Sequence, residues 1–225
     1  MEKQFLINLK NELIQRGAGF VGFSNIENVK NNYGYKGAIT IGYKLLDSMV
    51  EQITKEEGPT YQYFHHYRTV NFALDQLALY TATMIERRGH KVLMIPASQS
   101  SVEDSYSGAF PHKTAAVLSG NGFIGKNALF ISNQFGSKVR LATVLVDEPL
   151  EAEYPIVEPK CSECNLCVNS CPAKAITGKL YTYGEERSTI FDAEKCSQYM
   201  KKNYQHIGRG SVCGICIKVC PFNKC

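Results

Sequence analysis

The sequence predicts an α+β protein in two parts: an α/β region over residues 1–150, then a small cysteine-rich domain over 151–225. Three observations carry this. Helical and strand-like periodicities alternate up to residue 146, all nine cysteines fall between Cys161 and Cys225, and the stretch between is acidic and holds Pro149, Pro155 and Pro159. At roughly 150 residues per domain, 225 residues leave room for this division.

The elements follow in order. Phe5, Leu6, Leu9 and Leu13 recur at helical spacing, so residues 4–16 read as an amphipathic helix ending at Gly17. Gly19–Phe23 and Ala38–Tyr43 are short apolar runs bounded by glycine and polar residues, and read as strands. The longest helix is predicted from Thr60 to Arg88. Val70, Leu74, Leu77, Thr81 and Met84 share one face of it, and Gly89 supplies the stop. Lys91–Ile95 reads as a strand closed by Pro96, and a polar loop, Ser98–Gly108, follows. Lys113–Leu118 reads as a helix, and Ala128–Ser132 and Lys138–Val146 read as strands either side of a turn at Asn133–Gly136. Asp147–Lys160 suits a linker.

The cysteine-rich end carries the most specific signal. Cys161-Ser-Glu-Cys164-Asn-Leu-Cys167-Val-Asn-Ser-Cys171-Pro172 is the full C-x2-C-x2-C-x3-C-P run of bacterial ferredoxins. Three cysteines at that pitch wrap three corners of one 4Fe–4S cube, and the fourth, ahead of proline, reaches the other cube. Cys213-Gly-Ile-Cys216-Ile-Lys-Val-Cys220-Pro221 repeats the pattern with one member missing, and Cys196, 17 positions upstream of Cys213, is available to replace it. Exchanging the fourth ligands assigns Cys161, Cys164, Cys167 and Cys220 to one cluster, and Cys171, Cys196, Cys213 and Cys216 to the second. Cys225 remains as a spare thiol. Zinc takes four ligands, usually in two separated pairs, and fits this spacing poorly. Two clusters in one small domain make a relay that moves electrons one at a time.

Charge agrees. Residues 1–160 hold 16 Lys+Arg and 16 Asp+Glu, whereas 161–225 hold 9 and 5, which is the whole formal +4. A nucleic-acid patch is one reading of that surplus, but two oxidised clusters at about −2 each would cancel it. The first residues lack the long apolar stretch of a signal peptide, and no run reaches the ~18 apolar residues of a membrane span. The expectation is a cytoplasmic protein in a reducing compartment, away from membranes, where disulfides lose their support.

Gly120-Asn-Gly122-Phe123-Ile124-Gly125-Lys126-Asn127 imitates two nucleotide-binding patterns. The dinucleotide fingerprint must follow a strand and open a helix, and here a helix precedes and a strand follows. A phosphate loop would need Ser or Thr where Asn127 stands. A tight turn with glycines at positive φ, or close backbone approach to another large ligand, remains.

The cluster motifs and this loop together resemble the epoxyqueuosine reductase family. The likeness runs from about Gly108 to Asn223, through GNGFIGKNALFI, FGSKVRLATVLVDEPL, the split cysteine set and Cys220-Pro221-Phe222-Asn223. It implies a reductase in which two 4Fe–4S clusters feed a cobalamin held on an α/β domain similar to flavin nitroreductases and the core of reductive dehalogenases. Gly120, Gly122, Phe123, Ile124, Gly125, Lys126 and Asn127 would lie near the corrin. The family's Val-Asp-Thr-Ala-Pro stretch carries its proposed acid. Gap-free counting from the loop puts Tyr106 at that acid's position, while Asp104 has the matching chemistry. Both are candidate proton donors. The family's C-terminal helical repeats, associated with tRNA recognition, have no counterpart after Cys220, which argues against tRNA as a partner.

The favoured expectation is thus an iron–sulfur reductase acting through cobalamin on an unidentified small molecule or modified nucleoside, fed by a donor such as a ferredoxin or flavodoxin. The alternative is an electron-transfer or activating protein that reduces a partner and has no substrate of its own. Against a mere carrier stands the long cysteine-free region. His112, just ahead of the loop, and His65-His66 among Tyr61, Tyr63 and Tyr67 are further candidates to line a pocket or move protons.

Overall fold

In the computed structural model, which describes residues 1–98 and 106–224, the chain is α+β and divides into two compact units. The first comprises residues 1–44, 70–122 and 140–157, and the second 45–69, 123–139 and 158–225. Compactness therefore does not follow chain order: two segments from before residue 150 join the cysteine-bearing unit. No helix among the described residues is long and apolar enough to cross a membrane.

The first unit is built on a four-stranded sheet of order β1-β2-β6-β3, where β1 is Phe20–Asn25, β2 Gly37–Lys44, β3 Val92–Ile95 and β6 Val139–Val146. β1 pairs antiparallel with β2, Phe20 opposite Gly42, and β3 pairs antiparallel with β6, Val92 opposite Val146. Interior β6 reads VRLATVLV and is buried at every position except Arg140, as expected of a strand covered on both faces. Helix α1 (Lys3–Gln15) buries Phe5, Leu9 and Leu13, the stripe its periodicity predicted. α4 (His112–Leu118) lies against β1 and β2. Ile26, Val29, Ala38, Ile95, Phe110, Ala115 and Leu145 close one part of the core.

The boundary between the units falls inside the longest helix, α3 (Tyr61–Glu86). Of its predicted face, Val70, Leu74, Leu77 and Thr81 are buried, but Ile85 rather than Met84 completes the stripe. Thr81 is tolerated there because its hydroxyl donates to the Leu77 carbonyl at 2.8 Å.

The second unit holds α2 (Asp47–Glu51), a two-stranded sheet of β4 (Gly122–Ile124) and β5 (Phe130–Ser132), and three helices of the cysteine region. These are α5 (Leu166–Ser170), α6 (Ala193–Tyr204) and α7 (Ile215–Lys218). The strand predicted to begin at Ala128 begins instead at Phe130. Ala128 adopts a positive φ of 56° in a turn where its N–H donates to the Gly125 carbonyl. β4, which the glycine pattern concealed, pairs across that turn.

Candidate metal centre

Short local devices present the cysteines of the second unit. Cys164 N–H donates to the Cys161 carbonyl at 2.9 Å, which folds the first C-x2-C into a tight turn. Cys167 sits on α5, and Cys171 ends that helix, its Sγ accepting the Ala175 N–H at 3.4 Å. Cys196 rides on α6, whose first turn is capped by Asp192 accepting the Lys195 N–H at 2.9 Å. Gly214, at φ 87°, makes the left-handed step between Cys213 and α7, which carries Cys216. Cys220 follows one turn later, and α7 packs on α5. None of these eight cysteines is in a disulfide.

Electrostatics sorts them into neighbours. Burial pushes the Cys167 thiol up to about 11, and Cys161, Cys220 and Cys164 add to the rise. Burial also lifts Cys220, with Cys161 and Cys164 as its thiol neighbours. Cys196 is raised to about 12 by burial, then by Cys213 and Cys171. Cys216 is driven well above the usual thiol range by burial, and Cys213, Cys196, Cys171 and then Cys167 add to the rise. Thiols that burial holds protonated, as it does Cys161, Cys167, Cys196, Cys213, Cys216 and Cys220, need positive charge among them to act as ligands, and iron would supply it, since a coordinating thiol is deprotonated outright. The donor set therefore fits two iron–sulfur cubes. Among the described residues no group of three or more His, Cys, Asp or Glu side chains is placed to hold a single metal ion.

Two segments from the first 150 residues complete the surroundings. Lys126, Asn127 and Ile131 line one pocket with Cys161, Cys164, Cys167, Cys220, Pro221 and Phe222. Asn127 Nδ2 donates to the Cys216 carbonyl at 3.3 Å, and the Phe123 and Phe222 rings meet edge to face at 5.3 Å. Asn223 Oδ1 accepts both the Ser137 N–H and hydroxyl at 2.9 Å, and its Nδ2 donates to the Ile217 carbonyl at 2.6 Å. Around Cys213 the cover comes from residues 45–69. Buried Tyr63 and Ile53 lie against Gly214, and Gly58 lies against the ring of Tyr204, whose hydroxyl is pushed up by burial and by Cys213.

The loop expected near a corrin divides between these tasks. Gly120, at φ 73°, has no room for a Cβ, which would fall 2.5 Å from the Tyr154 carbonyl oxygen. Gly122, Phe123 and Ile124 are buried in β4, and a Cβ on Gly125 would meet Asn127 at 2.9 Å. Lys126 and Asn127 line the thiol pocket. These residues serve tight internal packing and a cysteine pocket.

Asp104 lies outside the described residues, as does Cys225, while Tyr106 is half-buried in a turn. His112 is fastened at both ring nitrogens, Nδ1 2.7 Å from Thr143 Oγ1 and Nε2 3.0 Å from the Pro96 carbonyl oxygen. His66 Nε2 accepts the Leu46 N–H at 3.0 Å, so it anchors the start of α2 rather than lining an open site. Sequence reasoning missed Ser137 and Asn165, whose partners Asn223 and Lys126 lie far along the chain.

Residues 160–223 match the family described as a 4Fe-4S double cluster binding domain. Epoxyqueuosine reductase of Lactococcus garvieae (strain Lg2) is 31% identical over 127 residues, 52% of this chain and 33% of that protein, so the chain spans about a third of that relative's length. In fold the chain is similar to a reductive dehalogenase whose structure is described as suggesting a mechanism for B12-dependent dehalogenation. The TM-score is 0.73 at 19% identity, over 96% of this chain and 31% of that one. It is also similar to an epoxyqueuosine reductase solved with a tRNA-Tyr epoxyqueuosine-modified stem loop, with a TM-score of 0.60 at 17% identity, over 98% of this chain and 66% of that one.

Proposed function

We propose that this relative of the epoxyqueuosine reductases, with a 4Fe-4S double cluster binding domain at residues 160–223, is an iron–sulfur oxidoreductase that passes low-potential electrons to a cobalamin for reductive chemistry. One cluster is assigned to Cys161, Cys164, Cys167 and Cys220, and the second to Cys171, Cys196, Cys213 and Cys216. The observation that carries this is the sorting of eight unbridged thiols into two sets of electrostatic neighbours inside one compact unit. When bound, the clusters supply one-electron transfer.

The chain's own residues do the rest. Asn127 and the Asn223–Ser137 pair hold the backbone that carries Cys216 and Cys220. Tyr63, Ile53 and Tyr204 keep water from Cys213. Residues 1–150 are the proposed substrate and cobalamin region, with Tyr106 or Asp104 as proton donor. Likeness to the B12-dependent dehalogenase supports the cobalamin. A ferredoxin or flavodoxin is the proposed donor, in a reducing compartment.

Anaerobic reconstitution tests the clusters: close to eight irons per chain are expected, and a value near four overturns the two-cluster assignment. Titration with cobalamin tests the acceptor. A shift of its spectrum to the base-off form is expected. No shift at high ligand leaves a protein that reduces a partner.

A further inference from the structure

We propose that Lys126 raises the reduction potential of the centre held by Cys161, Cys164, Cys167 and Cys220. The proposal rests on the ligand assignment above.

Lys126 is only 6% exposed. An ammonium taken out of water is costly unless an opposite charge compensates it. Its hydrogen-bond partner is a neutral amide, Asn165 Oδ1, at 3.0 Å, and among the described residues no carboxylate pairs with it. What it does face is the pocket it lines together with all four of these cysteines. Its backbone N–H bonds the Cys161 sulfur, and this bond and its charge both oppose the rise that burial imposes on that thiol. The compensating charge is therefore the thiolate–iron assembly itself.

Reduction adds one electron from an external one-electron donor and takes a cube with four thiolates from about −2 to −3, with no bond made or broken. A fixed cation beside it stabilises the more negative state, and so does an N–H bonded to a ligand sulfur; both raise the potential.

The test is a potentiometric titration, followed by electron paramagnetic resonance, of the full chain reconstituted under anaerobic conditions, with iron content measured on each sample. Lys126→Met should keep close to eight irons and lower one of the two couples by at least tenfold in its reduction equilibrium, about 59 mV for one electron, leaving the other in place. Lys126→Arg should leave both in place. Asn165→Asp, which sets a negative charge against the intact lysine, should lower the same couple. The proposal is overturned if Lys126→Met at full iron content moves neither couple, or if Lys126→Arg moves it as far as Lys126→Met. Should Lys126→Met lose its iron, an unshifted Asn165→Asp overturns the proposal and a lowered couple supports it. Wild-type protein without iron overturns the ligand assignment and this proposal with it, whereas eight irons with immobile couples overturns this proposal alone.

Discussion

The His112 imidazole accepts the Thr143 hydroxyl at Nδ1, 2.7 Å, while its Nε2–H donates to the Pro96 carbonyl, 3.0 Å. A carbonyl can only accept, so Nε2 carries the proton, and because burial keeps the ring neutral Nδ1 is left to accept. It ties the end of β3 to the start of α4, on either side of the segment that carries Asp104 and Tyr106.

Burial holds this imidazole neutral down to about 4, with Arg140 and Lys113 opposing its charge further. Unfolded, the ring takes up a proton near its ordinary 6.5. Between these values the unfolded state binds more protons, so stability should fall as pH drops from about 6.5 to 4 and level off below. The loss is up to about 3 kcal/mol. Denaturant melts across this window check it: His112→Gln should flatten the slope while lowering stability at pH 7.

Cysteine replacement should respect the sets. Cys161→Ala and Cys220→Ala are expected to lose the same four or so irons, and Cys196→Ala and Cys216→Ala the other four. Paired variants separate the sets: Cys161→Ala with Cys220→Ala should still retain about four irons, and Cys161→Ala with Cys196→Ala close to none.

Gly214→Ala should be severe for a single methyl group. The φ of 87° is strained for any side chain, and the added Cβ would sit 2.7 Å from Ile53 Cδ1 and 2.9 Å from the Tyr63 hydroxyl. A loss of about 1–3 kcal/mol is expected from the backbone alone. Iron content should fall with it, because the turn carries both Cys213 and Cys216. Thermal melts and iron assays on one preparation measure both.

Asn223→Ala removes the acceptor of the Ser137 N–H and hydroxyl and the donor to the Ile217 carbonyl. Groups left unpartnered there cost about 1–3 kcal/mol. A lower denaturant midpoint with unchanged slope is the expected result. Asn223→Asp, which keeps the acceptor, should recover part of the difference.

Much of this was legible in the residues. The stripe Phe5, Leu9, Leu13 and the buried run of β6 announced their elements because helical and strand periods are set by backbone geometry. The C-x2-C pitch likewise announced its chemistry. What the chain order hid was long-range. Nothing in GKN or FGSK says that Lys126 lies with Cys161 or that Ser137 bonds Asn223, 86 residues away. The glycines left two readings open for a related reason. A glycine kept for lack of space, as Gly120 is against Tyr154, reads in sequence like one kept for ligand approach.

The cysteine-bearing unit draws on residues 45–69 and 123–139 as well as the tail. Cut free at residue 158, the tail would be a poor stand-alone electron carrier: Gly214, Tyr204 and Phe222 would lose the neighbours that now cover them. Biogenesis is constrained in the same way. Both covering segments precede every cysteine in the chain, so the walls of the unit are synthesised before the thiols that they enclose.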